Sequence, residues 1–124
     1  MSCILIVEAD DTSRKLTRDI LQAKGFSTLE ATSSEMCLRL TQAHLPALVV
    51  MDVEAPSIHG MELLRALRSD PLTASIPIAT FISSVTAAER RQMSDAGFDA
   101  LLSNPIKVKE FLATITQLMR GAPV

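Results

Sequence analysis

The sequence contains no tryptophan and no tyrosine, and its four phenylalanines are the only aromatic residues among 124. Proteins that bind single-stranded nucleic acids stack the bases on aromatic side chains, so this scarcity argues against that function. Basic charge is scarce as well, because 12 lysines and arginines stand against 14 aspartates and glutamates, for a net charge of −2. This balance argues against a surface dedicated to nucleic acid or to an anionic membrane.

Long apolar runs are also missing, since none reaches the ~18 residues of a membrane span. The first residues lack the basic flank and cleavage site of a signal peptide, so we expect a cytoplasmic protein. Only two cysteines are present, Cys3 and Cys37, and both lie inside apolar segments. We interpret them as buried free thiols, which suits a reducing compartment, and not as a disulfide or a metal pair.

What the sequence does contain is an alternation of short apolar runs with helical patterns, repeated five times. The runs expected to form strands are residues 3–7, 26–30, 48–51, 76–82 and 100–102. Helical periodicity follows each run: over 12–24, after a cap at Ser33 or Ser34, around Met61 to Leu67, over 86–96, and from Val108 to Met119. Five βα units in so short a chain predict one α/β domain, with helices on both faces of a parallel sheet.

Individual residues mark the ends of these elements. Gly25 and Gly97 are well placed to end the first and fourth helices. Pro77 has no N–H to donate to a neighbouring strand, so it is expected at the start of the fourth strand. Asp10 or Asp11 is a candidate N-cap of the first helix, and Asp11 or Thr12 is the favoured one.

Carboxylates cluster at two strand ends, which is where ligands bind in parallel sheets of this kind. Glu8 and Asp10 follow the first strand, and Asp52 closes the third. Converging carboxylates suit a hard cation such as Mg²⁺. An aspartate at the end of a buried Val-Val-Met run is costly unless it faces a polar cleft, so Asp52 is the strongest functional candidate.

The order and spacing of these motifs resemble a response-regulator receiver domain of the CheY-like superfamily, most closely the stand-alone single-domain type. The residues that carry the resemblance are Ile-Leu-Ile-Val-Glu at 4–8, Val-Val-Met-Asp at 49–52, Pro56 with Gly60, Ile76-Pro77, Gly97 and Asn104-Pro105. The resemblance covers residues 1–124 as one domain. It implies a flavodoxin-like (βα)5 doubly wound sheet with strand order 2-1-3-4-5, and it raises the prospect of a cis peptide bond before Pro105.

By this resemblance Asp52 occupies the phosphoacceptor position, and the family takes a phosphoryl group from a phosphohistidine with the help of Mg²⁺. Three other positions depart from the family's pattern: Ala9 replaces the second metal-binding acid, Ile82 the Ser/Thr, and Asn104 the Lys. Glu54 need supply only a backbone carbonyl. We therefore expect metal binding to be weak or absent, with Glu8, Asp52 and that carbonyl as the donors if any.

The conformational switch implied by the resemblance is altered too. Its aromatic residue, often Tyr, corresponds to Leu101 in this sequence. The pair Ile82 and Leu101 has neither a hydroxyl group to be drawn toward a phosphoryl group nor a ring to follow it. Because a two-state switch needs contacts that differ between its states, we expect this pair to switch poorly.

We therefore predict a degenerate receiver that works by protein–protein interaction, largely independently of Asp52 phosphorylation, with no catalytic residues and no required cofactor. Its expected partner is a histidine kinase, a phosphotransferase or a downstream regulator, and residues 86–119 could also form a homodimer. One alternative is a phosphoacceptor receiver that uses Mg²⁺, with Asp10 and Ser83 as substitutes for the missing groups. Another is a small-ligand site in the acidic pocket of Glu8, Asp10 and Asp52.

Overall fold

Five strands alternate with five helices in the computed structural model, which describes residues 3–54, 58–83 and 86–120. The strands are β1 (Cys3–Val7), β2 (Ser27–Ala31), β3 (Leu48–Asp52), β4 (Ile78–Ile82) and β5 (Ala100–Ser103). The helices are α1 (Asp11–Ala23), α2 (Ser34–His44), α3 (Gly60–Ser69), α4 (Ala87–Ala96) and α5 (Val108–Met119). None of these helices is long and apolar enough to cross a membrane. Pro56 of the family motif and Ser84 lie outside the described residues.

The strands form one parallel sheet in the order β2-β1-β3-β4-β5, as predicted. The weaker apolar run, β2, lies at an edge. Strand order reverses between β1 and β3, and chain crossovers to opposite faces leave a crevice at such a point. Val7 pairs with Met51 in the register of these two strands. The residues that follow, Glu8 and Asp52, therefore lie side by side at the carboxyl edge of the sheet.

The core consists of two aliphatic clusters, one on each face of the sheet. Successive side chains of β1 alternate between them, with Leu5 and Val7 on one face and Ile4 and Ile6 on the other. The first cluster packs against α2 and α3, and the second against α1 and α5. Burial on both faces explains why the central strands β1 and β3 are continuous apolar runs without polar alternation.

The helix ends follow the predicted residues with one correction. Asp10, and not Asp11 or Thr12, is the N-cap of α1, because its carboxylate accepts a hydrogen bond from the Ser13 N–H at 2.8 Å. The helix therefore begins one residue earlier than predicted. Ser33 caps α2 as one of the two expected serines. Gly25 and Gly97 adopt φ angles of +91° and +124° just after α1 and α4.

Four apolar residues are more exposed than their helical or strand periodicity predicts. Three of them lie on helices: the exposed fraction is 48% for Leu16, 40% for Met61 and 48% for Val108. The fourth is Cys3. Met61 and Val108 lie in the first turns of their helices, before those helices pack against the sheet. Cys3 is only half-buried at the start of β1, whereas Cys37 is buried, and both thiols are free as predicted. Burial raises the pKa of the Cys37 thiol to about 11, so it remains protonated at neutral pH.

Candidate functional site

Glu8 lies at the carboxyl end of β1 and is held by its own backbone. Its N–H donates to the Ala31 carbonyl at 3.0 Å, and its carbonyl accepts from the Arg14 guanidinium at 3.0 Å. The residue is 8% exposed, and one carboxylate oxygen accepts the Asp10 N–H at 3.2 Å. Burial raises the pKa of Glu8, and the negative charge of Asp52 raises it further.

Asp52 ends β3 and is half-buried beside Glu8. Its Oδ1 accepts the N–H of Glu54 at 2.9 Å. Burial is the main cause that raises the pKa of Asp52, and the charge of Glu54 adds to it. The next residue is held by β4, because the Val53 N–H donates to the hydroxyl of buried Thr80 at 3.2 Å.

Asp10 does not bring its carboxylate into this pair. It is exposed, and the hydrogen bonds of Ser13 at the start of α1 lower its pKa. Its charge still contributes to raising the pKa of Glu8. Of the predicted acidic pocket, the structure therefore places Glu8 and Asp52 together, while the Asp10 carboxylate serves the helix cap.

The far side of the pocket is formed by the end of β4. Ile82 is 1% exposed and its side chain belongs to the interior. The next residue, Ser83, is tied to the loop after β3: its N–H and its hydroxyl both donate to Glu54 Oε2, at 3.2 and 2.8 Å. The exposed carboxylate of Glu54 thus links the β3–α3 and β4–α4 loops.

Asn104 and Leu101 complete the positions singled out in the sequence. Asn104 is exposed, its N–H donates to the Ile82 carbonyl at 3.0 Å, and its peptide bond to Pro105 is cis. Leu101 is half-buried and packs against one core cluster. Asn104 brings no charge, and within residues 3–54, 58–83 and 86–120 no lysine or arginine forms a salt bridge with Glu8 or Asp52.

Comparison with known proteins identifies the family of the chain. The family model described as the response regulator receiver domain matches residues 4–116. The chain belongs to this family. It is a two-component receiver domain, a module that works with histidine kinases and other signalling proteins and is not an enzyme in the classical sense.

Individual relatives agree with this assignment. The receiver is 29% identical over 119 residues to the polar-differentiation response regulator DivK of Brucella ovis, covering 96% of this chain and 97% of that protein. A putative response regulator from Chloroflexus aurantiacus is 26% identical, with a TM-score of 0.88 and 96% and 98% of the two chains covered. The chemotaxis response regulator CheY4 of Vibrio cholerae shares the fold at 23% identity, with a TM-score of 0.85 and coverage of 95% and 98%.

Receiver domains use Mg²⁺, and the oxygen groups of this pocket are its candidate ligands. Mg²⁺ prefers several oxygen ligands in octahedral geometry. The pocket supplies two carboxylates, Glu8 and Asp52, and each accepts a backbone N–H through one of its two oxygens. Ala9 supplies no third carboxylate. Across the described part of the chain, no three His, Cys, Asp or Glu side chains form a group able to hold a metal ion.

Three contacts that shape the pocket were missed in the sequence: those of Arg14, Thr80 and the Glu54 side chain. Thr80 carried a signal, because a hydroxyl residue inside an otherwise apolar strand needs a buried partner. Arg14 lies one turn into the first helix, but nothing local indicates that it reaches back to a carbonyl. The bond from Ser83 to Glu54 joins two loops, and only their folded positions reveal it.

Proposed function

We propose that this receiver domain acts by protein–protein interaction, largely without phosphorylation of Asp52. One observation carries the proposal: the two side chains that could replace missing phosphorylation groups are hydrogen-bonded elsewhere. The Asp10 carboxylate caps α1 through the Ser13 N–H. The Ser83 hydroxyl donates to Glu54. A phosphoacceptor receiver would need the first for Mg²⁺ and the second for the phosphoryl oxygens.

The charge of the pocket supports the same function. A phosphoryl group in transfer spreads negative charge over its oxygens, so its transfer depends on cations and hydrogen-bond donors placed around it. Glu8 and Asp52 are already short of compensation, as their raised pKa values indicate. Asn104 offers a neutral amide where the family has a lysine. A phosphoryl group on Asp52 would therefore add negative charge beside Glu8, and no salt bridge among the described residues neutralises this pocket.

The switch region supports it as well. In the family, a phosphoryl group on the acceptor draws a hydroxyl from the end of the fourth strand. Here Ile82 is buried and has no hydroxyl, and the carboxylate of Glu54 already holds the hydroxyl of Ser83. The two loops are thus linked without phosphate. We infer that the receiver presents one standing conformation to its partners.

The partner surface we propose is formed by α4, β5 and α5, within residues 86–119. Helix α4 has no fully buried residue, and Met93 is its partly buried contact with the core, so most of its surface faces solvent. It presents Ala87, Ala88, Arg91 and Gln92 to solvent, a mixture of small and polar residues that suits a reversible contact. A histidine kinase, a phosphotransferase, a downstream regulator or a second copy of the chain would bind there.

Beryllium fluoride with Mg²⁺, added to the ¹⁵N-labelled protein, tests the proposal because it mimics a phosphoryl group on an aspartate. We expect the spectrum of the wild type to be the same before and after addition, and likewise the spectrum of Asp52→Asn. Saturable shifts in the wild type that disappear in Asp52→Asn would overturn the proposal in favour of a phosphoacceptor receiver.

A restored pocket supplies the matched control. Ala9→Asp, Ile82→Thr and Asn104→Lys together return the second acid, the hydroxyl and the cation, and we expect the triple variant to bind beryllium fluoride through Asp52. If it keeps its fold but does not respond, the missing groups are not the reason that the wild type fails to bind beryllium fluoride.

Partner binding is a second test of the proposal. A partner captured from cell extract should bind the wild type and Asp52→Asn with affinities within about twofold, and a dependence on Asp52 would contradict the proposal.

A further inference from the structure

A cavity of about 220 Å³ lies between α1 and the segment that follows β5. It has one charged residue in its wall, and the remaining lining is apolar or neutral. The lining residues are Glu8, Ser13, Leu16, Thr17, Phe81, Asn104, Pro105 and Ile106. Its volume is below the roughly 300–1,000 Å³ of pockets for drug-sized ligands, so it fits a small molecule or a single side chain.

The polar part of the cavity is built around Glu8. This residue is 8% exposed, and its carboxylate accepts hydrogen bonds from neighbouring backbone N–H groups, with the Asp10 N–H at 3.2 Å. Within the described ranges no salt bridge reaches it. A buried carboxylate without a cation is costly, because burial removes water that would otherwise stabilise the charge. A ligand that carries a positive charge would remove that cost.

Thr17 provides a second polar group in the same wall. The residue is 5% exposed, and its hydroxyl takes part in no side-chain hydrogen bond found among the described residues. Those residues contain no fully buried side-chain oxygen or nitrogen without a partner. The Thr17 oxygen is therefore not fully buried, and because Thr17 lines the cavity, its hydroxyl is a polar group available to a ligand there.

The apolar wall explains the unexpected exposure of Leu16. This leucine is 48% exposed on α1, although the sequence predicts it on the inner face of the helix. It lies beside Phe81, Pro105 and Ile106, whose apolar surfaces line the same cavity. An alkyl chain placed between them would be removed from water along most of its length.

From this lining we infer that the cavity binds a primary ammonium group on a short alkyl chain. The ammonium would donate to the Glu8 carboxylate and the Thr17 hydroxyl, and the chain would lie against Leu16 and its apolar neighbours. Charge-assisted hydrogen bonds of this kind are the stronger ones, and an alkyl stem below a charged head is the shape of a lysine side chain. A free alkylamine and a lysine of another protein share this chemistry.

Titration of the ¹⁵N-labelled protein with n-butylammonium chloride tests the inference. We expect saturable shifts on the order of millimolar ligand, as the small number of ligand atoms allows, at the amides of residues 13–17 and 106. Equal concentrations of 1-butanol and of potassium chloride control for the alkyl chain and the ionic strength. Shifts that do not saturate, or that 1-butanol reproduces, would overturn the inference.

Two variants locate the binding, and a third is their control. Glu8→Gln removes the charge, and we expect affinity to fall at least tenfold. Glu62→Gln, an exposed glutamate of α3, should leave affinity unchanged. If Glu8→Gln loses its fold, Thr17→Leu is the second test, because it fills the cavity and keeps the Glu8 carboxylate. Loss of n-butylammonium binding by Thr17→Leu supports the inference. Unchanged affinity in a folded Glu8→Gln or Thr17→Leu protein excludes the site.

The same titration distinguishes the source of the ammonium group. A lysine capped at both backbone ends carries the same four-carbon stem as n-butylammonium. If the capped lysine binds at least as tightly, the cavity receives a side chain from another protein. If only the free amine binds, the backbone of a partner does not fit, and the ligand is a small alkylamine.

Discussion

At the scale of single residues, Gly60 sets the geometry of the loop that follows the acceptor position. A Cβ atom on Gly60 would lie 2.3 Å from Val53 Cγ1 and 2.7 Å from Val53 Cβ. Val53 directly follows Asp52, and its N–H is held by Thr80. The start of α3 can therefore approach the end of β3 only because residue 60 has no side chain. The glycine of the family motif is required here by contact, and not by its backbone angle.

Gly60→Ala is expected to destabilise the fold by about 1–3 kcal/mol, the usual cost of forcing extra atoms into a filled space. Urea unfolding measures the loss, and the amide shifts of residues 52–54 report the displaced loop. Gly25→Ala is the comparison, since a Cβ there meets nothing within 4 Å and only its positive φ is strained. Should both variants leave residues 52–54 undisturbed, the contact with Val53 does not set the loop.

At the scale of helices and strands, the elements differ in what stabilises them. Most bury apolar side chains, which is why periodicity alone predicted their type and order. Helix α4 has no fully buried side chain and only Met93 partly buried. Its start is fixed by a capping box: the Thr86 hydroxyl accepts the Glu89 N–H at 3.1 Å, and the Glu89 carboxylate accepts the Thr86 N–H at 2.9 Å. This helix depends on local hydrogen bonds to an unusual degree.

Thr86→Ala should therefore weaken α4 locally. An N-cap of this type contributes about 1 kcal/mol, so amide exchange in the first turns of α4 should accelerate about fivefold. Global unfolding should change less, because α4 can open while the sheet stays intact. Thr12→Ala, at an exposed threonine that caps no helix, is the control. Equal acceleration throughout the sheet would show that α4 does not open independently.

Arg68 joins three elements at the opposite end of the sheet from the acidic pocket. Its guanidinium donates to the carbonyls of Ala74, Ile76 and Gly97 at 2.7–2.9 Å, and to the Asp99 carboxylate at 2.7 Å. The side chain is 26% exposed, so these bonds are partly shielded from water. One residue thus connects α3 with the segments that enter β4 and β5.

Removing this group should destabilise the whole fold. We expect Arg68→Ala to cost about 2–3 kcal/mol in urea unfolding, since carbonyls lose charged donors. Arg68→Lys keeps the charge but lacks the planar guanidinium with its several donors. It should therefore recover less than half of the free energy of unfolding that Arg68→Ala loses. Full recovery by lysine would mean that charge, and not the geometry of the guanidinium, matters here.

The limits of sequence reasoning are visible in the same elements. The alternation of strands and helices follows from apolar runs, which are local signals, whereas the edge position of β2 and the meeting of Glu8 with Asp52 follow from the strand order that the family resemblance implies. The role of the Asp10 carboxylate could not be predicted from such signals, because a shift of one residue in the start of α1 decides whether Asp10 caps the helix. The contacts of Arg68 and Glu54 join segments distant in the chain, and no periodicity encodes them.

At the scale of the whole molecule, the topology places two acids from separate strands side by side without a cation. Burial raises the pKa of both Glu8 and Asp52 in the folded protein. The folded state therefore binds these protons more tightly than the unfolded chain, whose carboxyls have pKa values of about 4. It follows that the contribution of these two carboxyls to stability falls as pH rises from about 4 through their raised pKa values, and stays lower above them.

Asp52→Asn removes one of these ionisations and should increase the free energy of unfolding at pH 7.5, with the gain disappearing below about pH 4, where aspartate is protonated in both states. Urea titrations at both pH values, with EDTA to remove divalent cations, measure the difference. Asp95→Asn, at an exposed residue of α4, should change little at either pH. If Asp52→Asn is no more stable than the wild type at pH 7.5, the Asp52 carboxylate is compensated in the folded protein. The pocket would then have a cationic partner, and the case for a receiver that dispenses with phosphorylation would lose its electrostatic basis.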